Sequence, residues 1–132
     1  MSEGNIELLR EALERWNRAD IDGVLEMMAP DVRWHPADTL PDLQEVYEGC
    51  DGVRRFFEEF MAPWSWIELE PVEMIPLGDE VLVRAHFRAE GREGVRVDVE
   101  FGQRYRFRDG ELVRFNGYPS FDEARVAAQR EA

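Results

Sequence analysis

Two residues in this chain stand where a side chain able to move or polarise a proton would be useful. His35 sits between Trp34 and Pro36, three residues before Asp38. An imidazole close to a carboxylate titrates near neutrality and suits general-base work. Gln103 falls in the apolar register of a strand, where its amide needs a partner or a ligand to offset burial. His86 alternates with Arg84 and Arg88, which places it on the outer face of a sheet in a structural or interfacial role. The pair Glu58 and Glu59 lies opposite a phenylalanine face and reads as solvated helix surface. The two histidines have neither an H-x-x-x-H spacing nor clustered carboxylates, so no metal or other cofactor is expected.

Composition narrows the chemistry further. With 132 residues, 44% hydrophobic and 11% aromatic, one domain covering 1–132 can fill a core and still line a pocket. Acidic residues outnumber basic ones 29 to 16, a net charge of -13 that repels a phosphate backbone and argues against nucleic-acid binding. Every basic residue is Arg, which removes Schiff-base and P-loop lysine mechanisms. The single cysteine, Cys50, allows no internal disulfide or Cys-based zinc site and suits a reduced compartment. No apolar run approaches the ~20 residues needed to cross a bilayer, and the first twenty residues are unlike a signal peptide, so a cytoplasmic protein without membrane contact is expected.

The elements that must position these residues follow from periodicity. Ile6, Leu9, Leu13 and Trp16 predict an amphipathic helix over about 4–18. Asp20 or Asp22 caps a short second helix carrying Val24, Leu25 and Met28 and stopped by Pro30. Val32 and Trp34 form a brief strand before a loop that runs to Gly49. Asp51 caps a third helix whose Val53, Phe56, Phe57 and Phe60 face inward. From Trp64 the period changes to two, and long hairpins follow, with Pro71 marking an edge or a bulge and Asp109-Gly110 a hairpin turn. A last short helix with a frayed end begins near Phe121. Trp16, Trp34, Phe57, Phe60, Phe87, Tyr105 and Phe115 converge between helices and sheet, as a plain aromatic core or as the wall of a cavity. Gln103 among them is the sign of a pocket, with His35 and Asp38 close to its mouth.

The order of these elements, with ALERWNRADIDGVLEMMAPDVRWHP, YEGCDGVRRFFEEF and YRFRDGELVRFNGY, resembles the SnoaL-like family of the nuclear transport factor 2-like superfamily over about residues 6–126. The resemblance implies an α+β cone, three N-terminal helices packed on a strongly curved antiparallel or mixed sheet. It relates the chain in fold to ketosteroid isomerases, polyketide cyclases and limonene-epoxide hydrolases, and to non-enzymatic binding domains. Residue by residue, it sets Ala12 at the isomerase tyrosine, Gln103 at the oxyanion acid, and His35, then Asp38, at the general base. It sets Gly117 where cyclases and epoxide hydrolases carry an inward aspartate, and Arg84-x-His86 where the latter carry Arg-x-Asp.

Two functions are therefore expected as alternatives. One is a cofactor-free isomerase, cyclase or hydratase acting on a small apolar carbonyl compound, with His35 or Asp38 as base and Gln103 as polarising donor. The other is a domain of the same fold that holds a small apolar ligand without chemistry. Val81, Val83, Ala85, Phe87, Val99, Phe101, Tyr105 and Phe107 are expected to be buried, with Arg84, His86, Arg88, Arg104, Arg106 and Arg114 outward. Superfamily resemblance implies a homodimer through that outer face, each subunit's arginines meeting the other's acids.

Overall fold

The computed structural model describes residues 2–37 and 43–131. It opens with α1 (Ser2–Asn17), whose Leu9, Leu13 and Trp16 recur on one face and are buried. Asp20 caps α2 (Ile21–Leu25) by accepting from the Gly23 N–H at 3.0 Å. The expected continuation of this helix to Met28 is corrected, because Met28 already begins β1 (Met28–His35), a strand longer than Val32 and Trp34 suggested. Pro30 is tolerated there because the ladder is irregular between Met28 and Arg33. β2 (Tyr47–Glu48) pairs antiparallel with β1 and leads into α3 (Gly49–Met61). Asp51 lies in the first turn of α3, not at its N-cap, which is Glu48. A carboxylate in that turn still complements the helix dipole.

The strands β3 (Trp64–Leu77), β4 (Glu80–Gly91), β5 (Arg96–Arg108) and β6 (Glu111–Tyr118) form an antiparallel run, and β1 adds to it parallel to β6. The order is β2-β1-β6-β5-β4-β3, a curved mixed sheet with α1 on β3 and β4 and α3 on β1. At the β5–β6 turn Asp109 and Gly110 both have positive φ, 53° and 80°, as a two-residue hairpin of the mirror-image type demands. Pro71 meets both expectations, since β3 is an edge strand and its register slips between Pro71 and Glu73. Asn17 ties the end of α1 to this edge, donating to the Leu69 carbonyl at 3.0 Å and accepting from the Leu69 N–H at 2.9 Å. The expected α+β architecture and sheet register are therefore found. Val83, Ala85 and Phe87 are buried under the helices while Arg84, His86 and Arg88 face away. Val99 is corrected: it shares the inner face but is 40% exposed, because the helices do not reach that end of β5.

The outer face is not bare. α4 (Phe121–Arg130), capped by Ser120, folds back over β5, β4 and β6. Phe121 and Ala124 pack there with Leu82, and the Arg84 guanidinium lies 4.2 Å from the centre of the Phe121 ring. Gly102 makes the approach possible, since a Cβ at that position would stand 2.3 Å from the Ser120 carbonyl oxygen. Arg104, 5% exposed, donates to Glu80 at 2.8 and 2.9 Å, to Glu131 at 2.8 Å and to the Tyr118 hydroxyl at 3.1 Å. These bonds hold the guanidinium charged against the burial that opposes its charge, and they fasten the end of α4 to the sheet. Of the other outward groups, Arg84 pairs with Glu73 and Glu100, Arg88 with Glu68 and Glu70, Arg106 with Glu80, and the His86 ring meets Asp98, while Arg114 donates to the Asn116 side-chain oxygen. Among the described residues no helix is long and apolar enough to cross a membrane.

Candidate functional site

The site is built where α1, α3 and the inner face of the sheet meet. Trp16 from α1 stacks on Trp34 from β1, centroids 5.7 Å apart, and Trp34 stacks on Phe115 from β6 at 4.0 Å. Parallel pairing sets Trp34 beside Phe115, and antiparallel pairing sets Phe115 beside Tyr105 of β5, so one row of rings crosses three strands. Phe56 and Phe60, one helical turn apart on α3, roof this row. Together with Leu9, Leu13, Met28, Leu69, Phe87 and Phe101 they enclose a cavity. Its empty volume is about 730 Å³ including the open end, and about 70 Å³ admits the centre of a water-sized sphere. One water needs only about 10–15 Å³ on that measure.

Polar groups in this wall are few. Gln103 is 7% exposed, and its Oε1 accepts from the Tyr105 hydroxyl at 2.9 Å. The amide NH₂ has no partner among the described residues and stays available as a donor in an apolar surround. Burial pushes the Tyr105 phenol far above its ordinary pKa, so it acts as a neutral donor fixing the glutamine. Trp34 keeps its indole Nε1–H buried without a partner among the described residues. Among the described residues no lining side chain carries a charge. A neutral guest with an acceptor group suits such a wall, whereas a buried ion would lack a counter-charge. Among the described residues no three His, Cys, Asp or Glu side chains gather as a metal site would need.

Trp16, Trp34, Phe60, Phe87, Gln103, Tyr105 and Phe115 all line the cavity. Phe57 does not: it meets the edge of Trp16 at 5.1 Å from beside the wall, and Phe56 takes the place expected for it. Successive helix residues point about 100° apart. Only one of the two can face the sheet. His35 also requires correction. Strand alternation turns it to the opposite face of β1 from Trp34, beside Asn116 and near Arg33 and Arg114. Burial first, then the charges of Arg114 and Arg33, hold its pKa below the ordinary histidine value. It does not face a guest held between Trp34 and Phe115. Asp38 lies outside the described residues, although Pro36 and Ala37, just before it, line the cavity. Ala12 and Gly117, two positions singled out by resemblance, are wall residues, and Arg84 and His86 are on the outer face. Phe101 and Tyr118 also line the cavity. Phe101 could have been found from its two-residue spacing to Gln103, but nothing in the sequence marked Tyr118.

Comparison with known proteins gives a consistent picture. A family model described as the SnoaL-like domain matches residues 9–115. Among solved structures, the chain is similar to an NTF2-like protein of unknown function from Burkholderia pseudomallei, 30% identical, covering 93% of this chain and 95% of that one with a TM-score of 0.82. It is also similar to TerC co-crystallised with polyporic acid, at 25% identity, 96% coverage of both chains and a TM-score of 0.81. A Mycobacterium tuberculosis protein in complex with estradiol-17beta-hemisuccinate shares the fold at 22% identity, 90% and 95% coverage and a TM-score of 0.75. No match to a curated protein was found.

Proposed function

The chain belongs to the SnoaL-like domain family, and from that premise we propose that it binds a small, neutral, largely apolar compound through a carbonyl-type acceptor. One observation carries this reading: the Gln103 amide NH₂, braced by Tyr105 and without a partner among the described residues, is set in a wall whose described side chains are all uncharged. A hydrogen bond made in that apolar surround is strong and orients the guest, and the ring row supplies the contact area. Similar chains have been solved with polyporic acid and with estradiol-17beta-hemisuccinate, which supports a small-molecule ligand for a chain of this fold. Trp16 and Trp34 form the wall, so intrinsic fluorescence reports occupancy. Native mass spectrometry of the purified protein should find a retained neutral molecule, or 2-hexanone should shift the tryptophan emission. The absence of both would overturn the reading.

A cofactor-free isomerase, cyclase or hydratase is the second reading, and one observation favours it: the wall residues Pro36 and Ala37 run directly into Asp38. A carboxylate delivered there would act as the base, with Gln103 polarising the carbonyl. Asp38→Asn separates the two readings. An enzyme loses turnover and keeps its ligand, with kcat falling by about 10²–10⁴ for a lost general base. A binder shows at most a change in affinity.

The single free cysteine, Cys50, supports a reduced, cytoplasmic setting. We also propose a homodimer through the part of the outer face that α4 leaves open, around His86, Arg88 and Asp98. Because these groups already pair within one chain, the contact would share existing ion pairs between subunits instead of supplying missing acids. Light scattering at micromolar concentration should give twice the chain mass, and Arg88→Glu should halve it. A wild-type monomer would refute the dimer.

A further inference from the structure

Beyond the enclosed part of the cavity, its apolar wall continues into the open. Gln103, Phe101, Val99 and Val97 of β5 share the inner face, each directly across from Val83, Ala85, Phe87 and Ala89 of β4. Phe101 and Gln103 belong to the cavity wall, whereas Val99 is 40% exposed and Val97 half-buried. Gly102 lies opposite Tyr118, the last residue of β6, so everything before Gly102 in β5 extends past the end of β6. The wall residues Pro36, Ala37, Gly117 and Tyr118 gather at this same end, after β1 and at the close of β6, and mark the mouth. From Gln103 to Val97 the strip covers ~20 Å at ~3.3 Å per residue.

The room inside is small for this wall. The enclosed cavity is about 70 Å³, and the 730 Å³ of empty space inside and around it includes the open end. A compact guest would sit wholly among the rings and leave Val99 uncovered and Val97 half-covered. Apolar side chains uncovered at the mouth of a cavity, continuous with its wall, match instead a guest too long to be enclosed. The acids of this stretch, Asp98 and Glu100, are on the other face and engage His86 and Arg84, so the strip itself is uncharged.

Resting on the reading of the cavity given above, we propose that the ligand is an elongated neutral amphiphile of the alkyl ketone or ester class. Its carbonyl accepts from the Gln103 amide, and its hydrocarbon chain runs outward over Phe101, Val99 and Val97.

Titration of the whole protein with 2-hexanone, 2-octanone, 2-nonanone and 2-undecanone, read by tryptophan emission and calorimetry, tests the proposal. Affinity should rise about threefold to fourfold for each added methylene through the series, the factor for moving one methylene out of water. The double variant V97T/V99T, with its thermal midpoint checked against wild type, should lose most of the gain between 2-octanone and 2-undecanone. Wild-type affinity that stays flat beyond 2-hexanone, or a folded V97T/V99T variant with an unchanged chain-length slope, would overturn the elongated ligand and leave the cavity reading intact. If no ketone binds, 2-hexanone included, the cavity reading itself falls and takes the proposal with it.

Discussion

Gly102→Ala is expected to cost about 3 kcal/mol of stability or more and to release α4 from the sheet, the upper end of what overpacking a close contact produces. The added Cβ would meet the Ser120 carbonyl oxygen at 2.3 Å, the Ala124 Cβ at 2.7 Å and the Phe121 Cα at 2.8 Å. Two of these three atoms are backbone, so no side-chain rotation relieves the clash and the helix must move. Movement would strip the cover from Leu82 and separate Glu131 from Arg104. Urea denaturation should show the lower midpoint, and limited proteolysis should cut within residues 121–130 at rates not seen in wild type. Gly4→Ala serves as the contrast. Nothing stands within 4 Å of its added Cβ, and it lies in α1, where alanine is the better helix former. Equal stability of the Gly102 variant and wild type, with α4 still protected, would show that the contact is looser than these distances imply.

Removing Gln103 and Tyr105 one at a time should be worse than removing their polar groups together. In Gln103→Leu the buried Tyr105 hydroxyl loses its acceptor, and in Tyr105→Phe the Gln103 Oε1 loses its donor. Each single change leaves a buried polar group unsatisfied, at about 1–3 kcal/mol. The double variant replaces both partners with apolar groups of similar shape, which is nearly neutral, so the cycle should show a coupling of at least ~1 kcal/mol. Binding should respond differently. Any variant with leucine at position 103 lacks the free NH₂, so affinity for a ketone should drop about tenfold while affinity for a hydrocarbon of the same length does not fall. Additive stability effects, or a ketone affinity indifferent to the glutamine, would remove Gln103 from the role assigned to it.

The aromatic row and its glutamine illustrate how much of a site a pattern can hold. Gln103 and Tyr105 are two residues apart in a strand of strict alternation, so their shared face with Phe101 follows from local geometry alone. The same rule separates Trp34 from His35. His35 as a base at the mouth runs against that alternation, which turns its ring to the other face of β1. For Phe56 and Phe57 no local rule decides, since both lie within a broad apolar face. The rotation of α3 against β1 selects Phe56, and that rotation depends on rings contributed by α1, β1 and β2.

What the amino-acid sequence determined by itself was therefore everything governed by short-range periodicity and composition. That covers the amphipathic helices, the alternating strands and their register, the Asp109-Gly110 hairpin, the apolar inner face with one amide in it, and the absence of lysine chemistry. Only the tertiary structure decided where these faces end. It set β1 parallel to β6, stopped the helices short of Val99, and folded α4 over Gly102. It also gave Arg84, Arg88 and Arg104 acids from their own chain, where the sequence suggested those of a partner. Each of these depends on contacts between residues far apart in the chain. Periodicity states which side of an element is apolar, but what covers that side is set by the packing of other elements against it.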